Sequence, residues 1–448
     1  MTRTLPDLET NRKLTVPKTA ERTLDNGLTV IAIRRSSVPL VEIRLRIPFA
    51  KANLARGDVL SETLLAGTET KSAVEVAAAL QEVGGGLSAN TDPDRLSISG
   101  NSLVSGFPRL LEILAEVLTS ATYPADEVTT ERDRLADRIQ VALTQPGHLS
   151  RIALLKRVYG SHPYALQTPT IAQVKAVRRG VLQTLHAERL HPNGATLVVV
   201  GDLAPEKAID TVAKALDSWG GESKLVTLPP IPATSPGPIV IADRPTSVQS
   251  SLRLALPAVG RTHEDFPALQ LANLIFGGYF SSRWTENIRE DKGYTYSPHS
   301  GVEHSIAGSI LTLSADVATE VTAPALNETF YELGRMASLP PKEDELEQAR
   351  QYAIGTLLLG VATQSGLATL ASMYAAYGLR LNYLVDYSAK LAKVTRDQVA
   401  EVAARYLAPA KAVTVVLGDA ERIGASVATL AATEPDTALA ELTGDSGK

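Results

Sequence analysis

The chain has 448 residues, 44% of them hydrophobic and 21% charged, a globular composition whose length predicts two large domains or three ordinary ones. Lysine and arginine number 44 against 49 acids, and the resulting charge of −5 excludes a nucleic-acid protein held by bulk electrostatics. The absence of cysteine excludes disulfides, thiolate metal sites, iron–sulfur clusters and a cysteine nucleophile, leaving seven histidines for metal or base chemistry.

The N-terminus, MTRTLPDLETNRKLTV, is polar and has no apolar core or cleavage pattern, so no secretory signal is expected. No apolar run approaches 18 residues, so neither a transmembrane helix nor a membrane partner is expected, and the cytoplasm is the default compartment. Residues 28–34 and 40–48 read as strands around a turn at Ser36-Ser37. Ser72-x-x-Glu75 is a capping box that opens an alanine-rich helix to about Val83. Gly84-Gly85-Gly86 then stops that helix, which makes it a turn and not a phosphate cradle, and Leu87–Asn90 reads as an edge strand. Residues 94–104 alternate as a strand does, with Leu96 and Ile98 on one face. Leu110, Leu111, Ile113, Leu114, Val117 and Leu118 mark an amphipathic helix that ends before Pro124. The run 196–200 is a buried strand, followed by a helix over about 205–216.

The chain also repeats itself. Residues 189–202, RLHPNGATLVVVGD, align without a gap on 406–419, YLAPAKAVTVVLGD, at an offset of 217, with seven of fourteen positions identical. The strand-like 43–48 resembles 252–257 at an offset of 209. These matches predict an α+β protein of two homologous halves, each a mostly antiparallel sheet covered by helices on one face. The expected boundaries are 1–218 for the N-terminal half, 219–238 for a Pro/Gly/Ser-rich linker, 239–433 for the C-terminal half and 434–448 for a flexible tail.

The segment 276–297, FGGYFSSRWTENIREDKGYTYS, carries the most chemistry. One reading is a Gly-Gly loop beside a solvated, charged helix end. The other starts from Arg289 and Tyr296, a fixed cation and a neutral phenol donor that together can meet a developing alkoxide. The histidines offer no competing site. His186/His191 and His299/His304 are five apart, off helical metal-ligand spacing, and His162 in His-Pro-Tyr reads as structural.

This segment resembles the C-terminal-half signature of the pitrilysin/insulin-degrading-enzyme metallopeptidases, of the short bacterial processing type: Gly277-Gly278, a Ser282-Arg283-hydrophobic step, then Arg289-Glu290-x-x-Gly293-x-x-Tyr296. The opening Leu24–Val30, Gly67-Thr68, His162-Pro163-Tyr164 and the strand ends Gly201-Asp202 and Gly418-Asp419 follow the same family's order. The resemblance implies two α+β halves forming a clam-like half-shell. It also implies zinc on an inverted His-x-x-Glu-His helix nine residues before the Gly-Thr. Here Asp58 and Glu62 stand where the resemblance places the histidines and Ser61 where it places the base, and Glu127 and Glu131 fall near its third ligand.

The expected chain is therefore one without its own metal: the zinc-free subunit of a heterodimeric metalloendopeptidase. The resemblance implies a homologous partner carrying His-x-x-Glu-His and zinc, with unfolded peptide as the substrate. It assigns Arg289 and Tyr296 to oxyanion and substrate binding in trans, and Gly277, Gly278, Ser282 and Tyr294 to weaker substrate contacts. Two alternatives stand beside it: an inert assembly subunit of the same family, and a peptidase active alone through a hard metal at Asp58 and Glu62.

Overall fold

The computed structural model describes residues 14–437 and 439; the polar N-terminal run before residue 14 and the remainder of the tail lie outside the described residues. The first half contributes strands β1 (Thr19–Thr23), β2 (Thr29–Arg34), β3 (Leu40–Pro48), β4 (Gly86–Thr91), β5 (Arg95–Leu103) and β6 (Thr196–Gly201), in the order β1-β2-β6-β3-β5-β4. The second contributes β7 (Ile239–Asp243), β8 (Gln249–Pro257), β9 (His299–Ser305), β10 (Gly308–Ala318), β11 (Val413–Gly418) and β12 (Thr433–Pro435), in the order β12-β7-β11-β8-β10-β9. Most pairings are antiparallel, while β2/β6 in the first sheet and β7/β11 and β7/β12 in the second are parallel.

The repeat read from the sequence reappears as a shared strand register. Ile43 lies opposite Val199 in the first sheet and Leu252 opposite Val416 in the second, which are the same positions shifted by 209 and 217. The helix preceding the repeated strand is duplicated too, as Arg179–Arg189 and Arg396–Tyr406, both 11 residues long. The edges differ. β1 joins antiparallel through a hairpin, whereas β12 arrives from the C-terminus and pairs parallel. The expected tail thus begins inside the sheet, since Glu434 and Pro435 belong to β12.

Each half's own helices cover one face of its sheet, as expected, and the second face is covered as well. β3 buries alternate residues, Val41, Ile43, Leu45 and Ile47, against its own half's helices. In β6 and β11 the alternation gives way to runs buried on both sides, as strands covered on both faces require. The second cover is exchanged between the halves. Helix Gln364–Ala376 packs Leu367, Ala368, Ala371 and Tyr374 on Ile33, Val198 and Val200 of the first sheet. Helix Pro146–Tyr159 packs Leu149, Ala153, Leu154 and Leu155 on Val240, Ala255, Val413 and Val415 of the second. An arginine from each sheet meets the visiting helix. Arg44 Nη2 donates to Ser365 Oγ at 2.7 Å, and Arg253, its counterpart 209 residues on, lies beside Gly147.

Residues 219–237 contain neither helix nor strand but are tied down. His162 Nε2 bonds the Pro229 carbonyl at 2.9 Å, and Ile231 N–H donates to the Ala307 carbonyl at 3.1 Å. Tyr164 donates to the Asp94 carboxylate at 2.8 Å and accepts from Ala307 N–H at 3.0 Å, so His162-Pro163-Tyr164 fastens one half to the other. Among the described residues, no single helix is long and apolar enough to cross a membrane.

Candidate functional site

The Arg/Tyr segment is built around a buried tryptophan. Helix Phe266–Asn273 widens into a looser turn, Leu274–Gly278, and the chain reverses into a short helix at Arg283–Thr285. Trp284 is fully buried, stacks on Phe276 at 5.5 Å and 11°, and donates from Nε1 to Thr329 Oγ1 at 3.0 Å. Its ring explains Gly277: a Cβ there would lie 2.8 Å from Trp284 Cε3 and 2.8 Å from Ser300 Oγ. A Cβ on Gly278 would lie 2.8 Å from Asn273 Nδ2. Arg283, 8% exposed, forms two parallel bonds of 2.6 and 2.7 Å to Glu345, fixing the segment to the start of helix Glu343–Gly360. Thr295 Oγ1 donates to the Asp316 carbonyl at 2.7 Å and fixes the far end to β10.

These anchors bring Arg289 and Tyr296 together. The Arg289 guanidinium carbon lies 4.9 Å from the Tyr296 ring centroid and 4.5 Å from that of Phe280, so the cation rests against two aromatic rings. Its Nε pairs with Glu290 at 3.1 Å. Tyr296 is 80% exposed and Phe280 60%, so the stack faces outward with the phenol at its rim. Phe280 carries no motif, and the sequence reading missed it. The other expected contacts separate from the pair. Ser282 is buried and spends its hydroxyl on Thr285 Oγ1 at 2.9 Å, and Gly277 is buried against Trp284, so both pack the segment and offer no surface to a substrate. Tyr294 turns partly into the second core, away from the rim that Tyr296 occupies.

The other expected centre lies on helix Leu54–Thr63, capped by Asn53. Asp58 and Glu62 share a face, yet each is engaged elsewhere. Asp58 accepts from Thr91 Oγ1 of β4 at 2.8 Å, and Glu62 pairs with Arg138 of helix Ala125–Ala142 at 2.5 Å. Burial pushes the Asp58 carboxyl up to about 6, opposed by the Thr91 bond and aided by the Glu62 charge. Ser61 is buried and donates to its own helix at the Asp58 carbonyl. Glu131 pairs with Arg134, and Glu127 sits in the first helical turn. No group of three or more metal-binding side chains converges among the described residues. A guanidinium bridges the two helices where a zinc site would need lone pairs, so these residues do not fit the metal.

A duplicated sheet with exchanged helices, joined to a Gly-Gly…Arg…Tyr segment, defines the pitrilysin class of two-half metallopeptidase folds. The family model described as "Insulinase (Peptidase family M16)" matches residues 59–169, and "Peptidase M16 inactive domain" matches 176–352; the chain belongs to peptidase family M16. An uncharacterised zinc protease of Mycobacterium bovis is 26% identical over 367 residues, covering 80% of this chain and 82% of that protein. A "probable inactive metalloprotease" of Bacillus subtilis is 23% identical over 400 residues, covering 83% and 92%. A peptidase M16 inactive domain from Pseudomonas fluorescens superposes with a TM-score of 0.83 at 23% identity, covering 89% of this chain and 98% of that one. A protease from Helicobacter pylori also reaches 0.83, at 19% identity and 90% and 100% coverage. At these identities the two structures speak for the fold.

Proposed function

We propose that this chain is the zinc-free subunit of an M16 metalloendopeptidase. In this reading it presents Arg289 and Tyr296 to peptides bound against a homologous subunit that carries His-x-x-Glu-His and the zinc. The observation that supports it most is the outward-facing cluster of Phe280, Arg289 and Tyr296, in a chain where Glu62, at a position the resemblance gives to a zinc ligand, is paired with Arg138. A structural relic would gain nothing from an exposed phenol held beside a guanidinium. In the proposed chemistry the Tyr296 hydroxyl donates to the tetrahedral oxyanion, and Arg289 holds a substrate carbonyl and shares the developing charge. Phe280 positions Arg289 through its own ring contact with the guanidinium.

The test is reconstitution with a His-x-x-Glu-His homologue. The chain alone should hold no stoichiometric zinc and cleave no peptide, and the mixture should do both. Tyr296→Phe should lower kcat by about 10²–10³ without impairing assembly, the usual cost of one oxyanion donor. Arg289→Ala should cost at least as much and raise KM as well. Near-normal turnover in both variants would transfer the reading to an inert assembly subunit, which the likeness to a probable inactive metalloprotease also supports.

A further inference from the structure

A cavity of about 690 Å³ opens between edge strand β9 and the helices Glu343–Gly360, Gln364–Ala376 and Tyr383–Lys393. Its volume lies in the range of small-molecule sites, and its walls mix apolar side chains such as Leu274, Leu357 and Met373 with the ring of Tyr352. Its charge is one-sided: the lining includes the Arg261 guanidinium and two imidazoles, His299 and His304, but no carboxylate. Arg261 has no counter-ion among the described residues, and its Nε is buried without a hydrogen-bond partner. That nitrogen is sealed from the cavity, so a ligand would meet the rest of the guanidinium, and a cation without a counter-ion at a cavity wall marks a place for an anion.

The guanidinium is also held in place. It lies over the Phe266 ring at 5.6 Å, and the Arg261 backbone carbonyl accepts from the Tyr383 hydroxyl at 2.6 Å. His304 adds no second charge. Burial, and then the neighbouring Arg261, hold it down to about 3, and its Nδ1 is engaged with Ser309 Oγ at 2.8 Å.

We propose that this cavity binds a carboxylate carried on an apolar body, with Arg261 taking the anion and the Tyr352 and Leu357 side of the cavity taking the body. Two sources share that chemistry: the C-terminal residue of a peptide, and a free arylalkyl or alkyl carboxylic acid. The site stands on the cavity and Arg261 alone and needs no partner subunit, while its peptide source rests on the function proposed above.

Calorimetry on the full chain without a partner decides. The probes are a tripeptide ending in Phe as the free acid, the same tripeptide as its C-terminal amide, and 3-phenylpropionate. The free-acid peptide should bind at least tenfold more tightly than the amide, because charge-assisted bonds to a guanidinium exceed neutral ones. Arg261→Gln should bring that ratio close to one. Thr356→Trp, at an exposed position lining the cavity, should abolish binding with Arg261 intact. Binding of phenylpropionate alone would support the site and assign it to free acids. Equal affinity for acid and amide, or no binding of any probe at millimolar concentration, overturns the proposal, and both comparisons use the unaltered protein. If the Arg289 and Tyr296 variants leave reconstituted turnover unchanged while acid binding persists, the proposed function fails and this site remains.

Discussion

The two halves share a frame and part company where chemistry sits. In both, the strand next to the repeated one (β3 or β8) leads into a helix. In the first half that helix, Leu54–Thr63, leaves Asp58 and Glu62 on a half-exposed face toward Thr91 and Arg138. In the second, Phe266–Asn273 is buried at Phe266, Pro267, Ala268, Leu269, Leu271, Ala272 and Asn273. Beyond it the first half inserts the capped helix Ala73–Glu82 before edge strand β4, and the second inserts the Trp284–Tyr296 segment before β9. Duplication has preserved strand register and helix exchange, which every residue of the cores depends on. It has left the stretch from the post-strand helix to the edge strand free to diverge: the first candidate centre lies on the helix itself and the second on the insertion that follows it.

The largest expected effects test whether the halves are equivalent in stability. The chain has two tryptophans, one in the core of each half, and both are fully buried: Trp219, where the linker begins, donates to the Leu190 carbonyl at 2.9 Å and Trp284 to Thr329. Replacing either by Ala should cost about 3–5 kcal/mol in chemical denaturation. The remaining tryptophan then reports on the other half. Coincident transitions are expected, because the exchanged helices make each sheet's cover part of the opposite half. Separate transitions would show that the exchange does not couple the two cores.

That coupling was the least legible feature of the sequence. The duplication could be read because β6 and β11 are continuous apolar runs with identical residues at fixed spacing, and strand register follows from such runs. Helix Pro146–Tyr159 carries apolar residues that say it is buried, but nothing local says against which sheet. Strands β1 and β12 escaped notice because TAERT and TEP are short and largely exposed, so tertiary pairing alone makes them strands. At the site, Arg289 and Tyr296 were legible from residue type and the family resemblance. Phe280 was not, because its role arises only when the chain reverses at Trp284. Gly277 and Ser282 pack the segment in the structure, and the sequence does not tell packing from substrate contact because close packing and ligand approach select the same small residues.

The two half-specific ion pairs sharpen the comparison at a middle scale. Arg283–Glu345 in the second half has side chains 8% and 24% exposed and two parallel bonds. Arg283→Met should destabilise by about 2–3 kcal/mol, leaving Glu345 half-buried without its partner, and should loosen the Arg289 segment enough to lower reconstituted turnover. An unchanged denaturation midpoint would show that Trp284 and Thr295 hold that segment without the ion pair.

In the first half, Asp58 gives a pH-dependent test. Its carboxyl titrates near 6 when folded and near 4 when unfolded, so between those values the folded state holds a proton that the unfolded state has released. The associated stability is present below about pH 4 and is lost as pH rises through 6. Asp58→Asn keeps an acceptor for Thr91 and removes the cost of ionisation. It should raise stability at pH 8 by about 1–2 kcal/mol and give no gain at pH 4. A gain of equal size at both pH values would trace the effect to packing.

The smallest expected effect belongs to Glu62–Arg138, the pair that stands where the resemblance places a zinc ligand. Its side chains are 41% and 51% exposed, so water and salt screen it and two long side chains must be ordered to form it. A double-mutant cycle with Glu62→Gln and Arg138→Gln should return a coupling under about 1 kcal/mol that shrinks further in 1 M salt. Neither variant should take up zinc, because removing the guanidinium still leaves Asp58 turned to Thr91 and Ser61 bonded within its own helix. The cycle thus separates two accounts of the same position. If the pair had been retained as a structural replacement for the metal, its coupling would approach the cost of breaking Arg283–Glu345 and would resist salt. A weak, screened coupling means that the pair is no structural stand-in for a metal, and that the stability of the first half rests on the shared frame and the visiting helix.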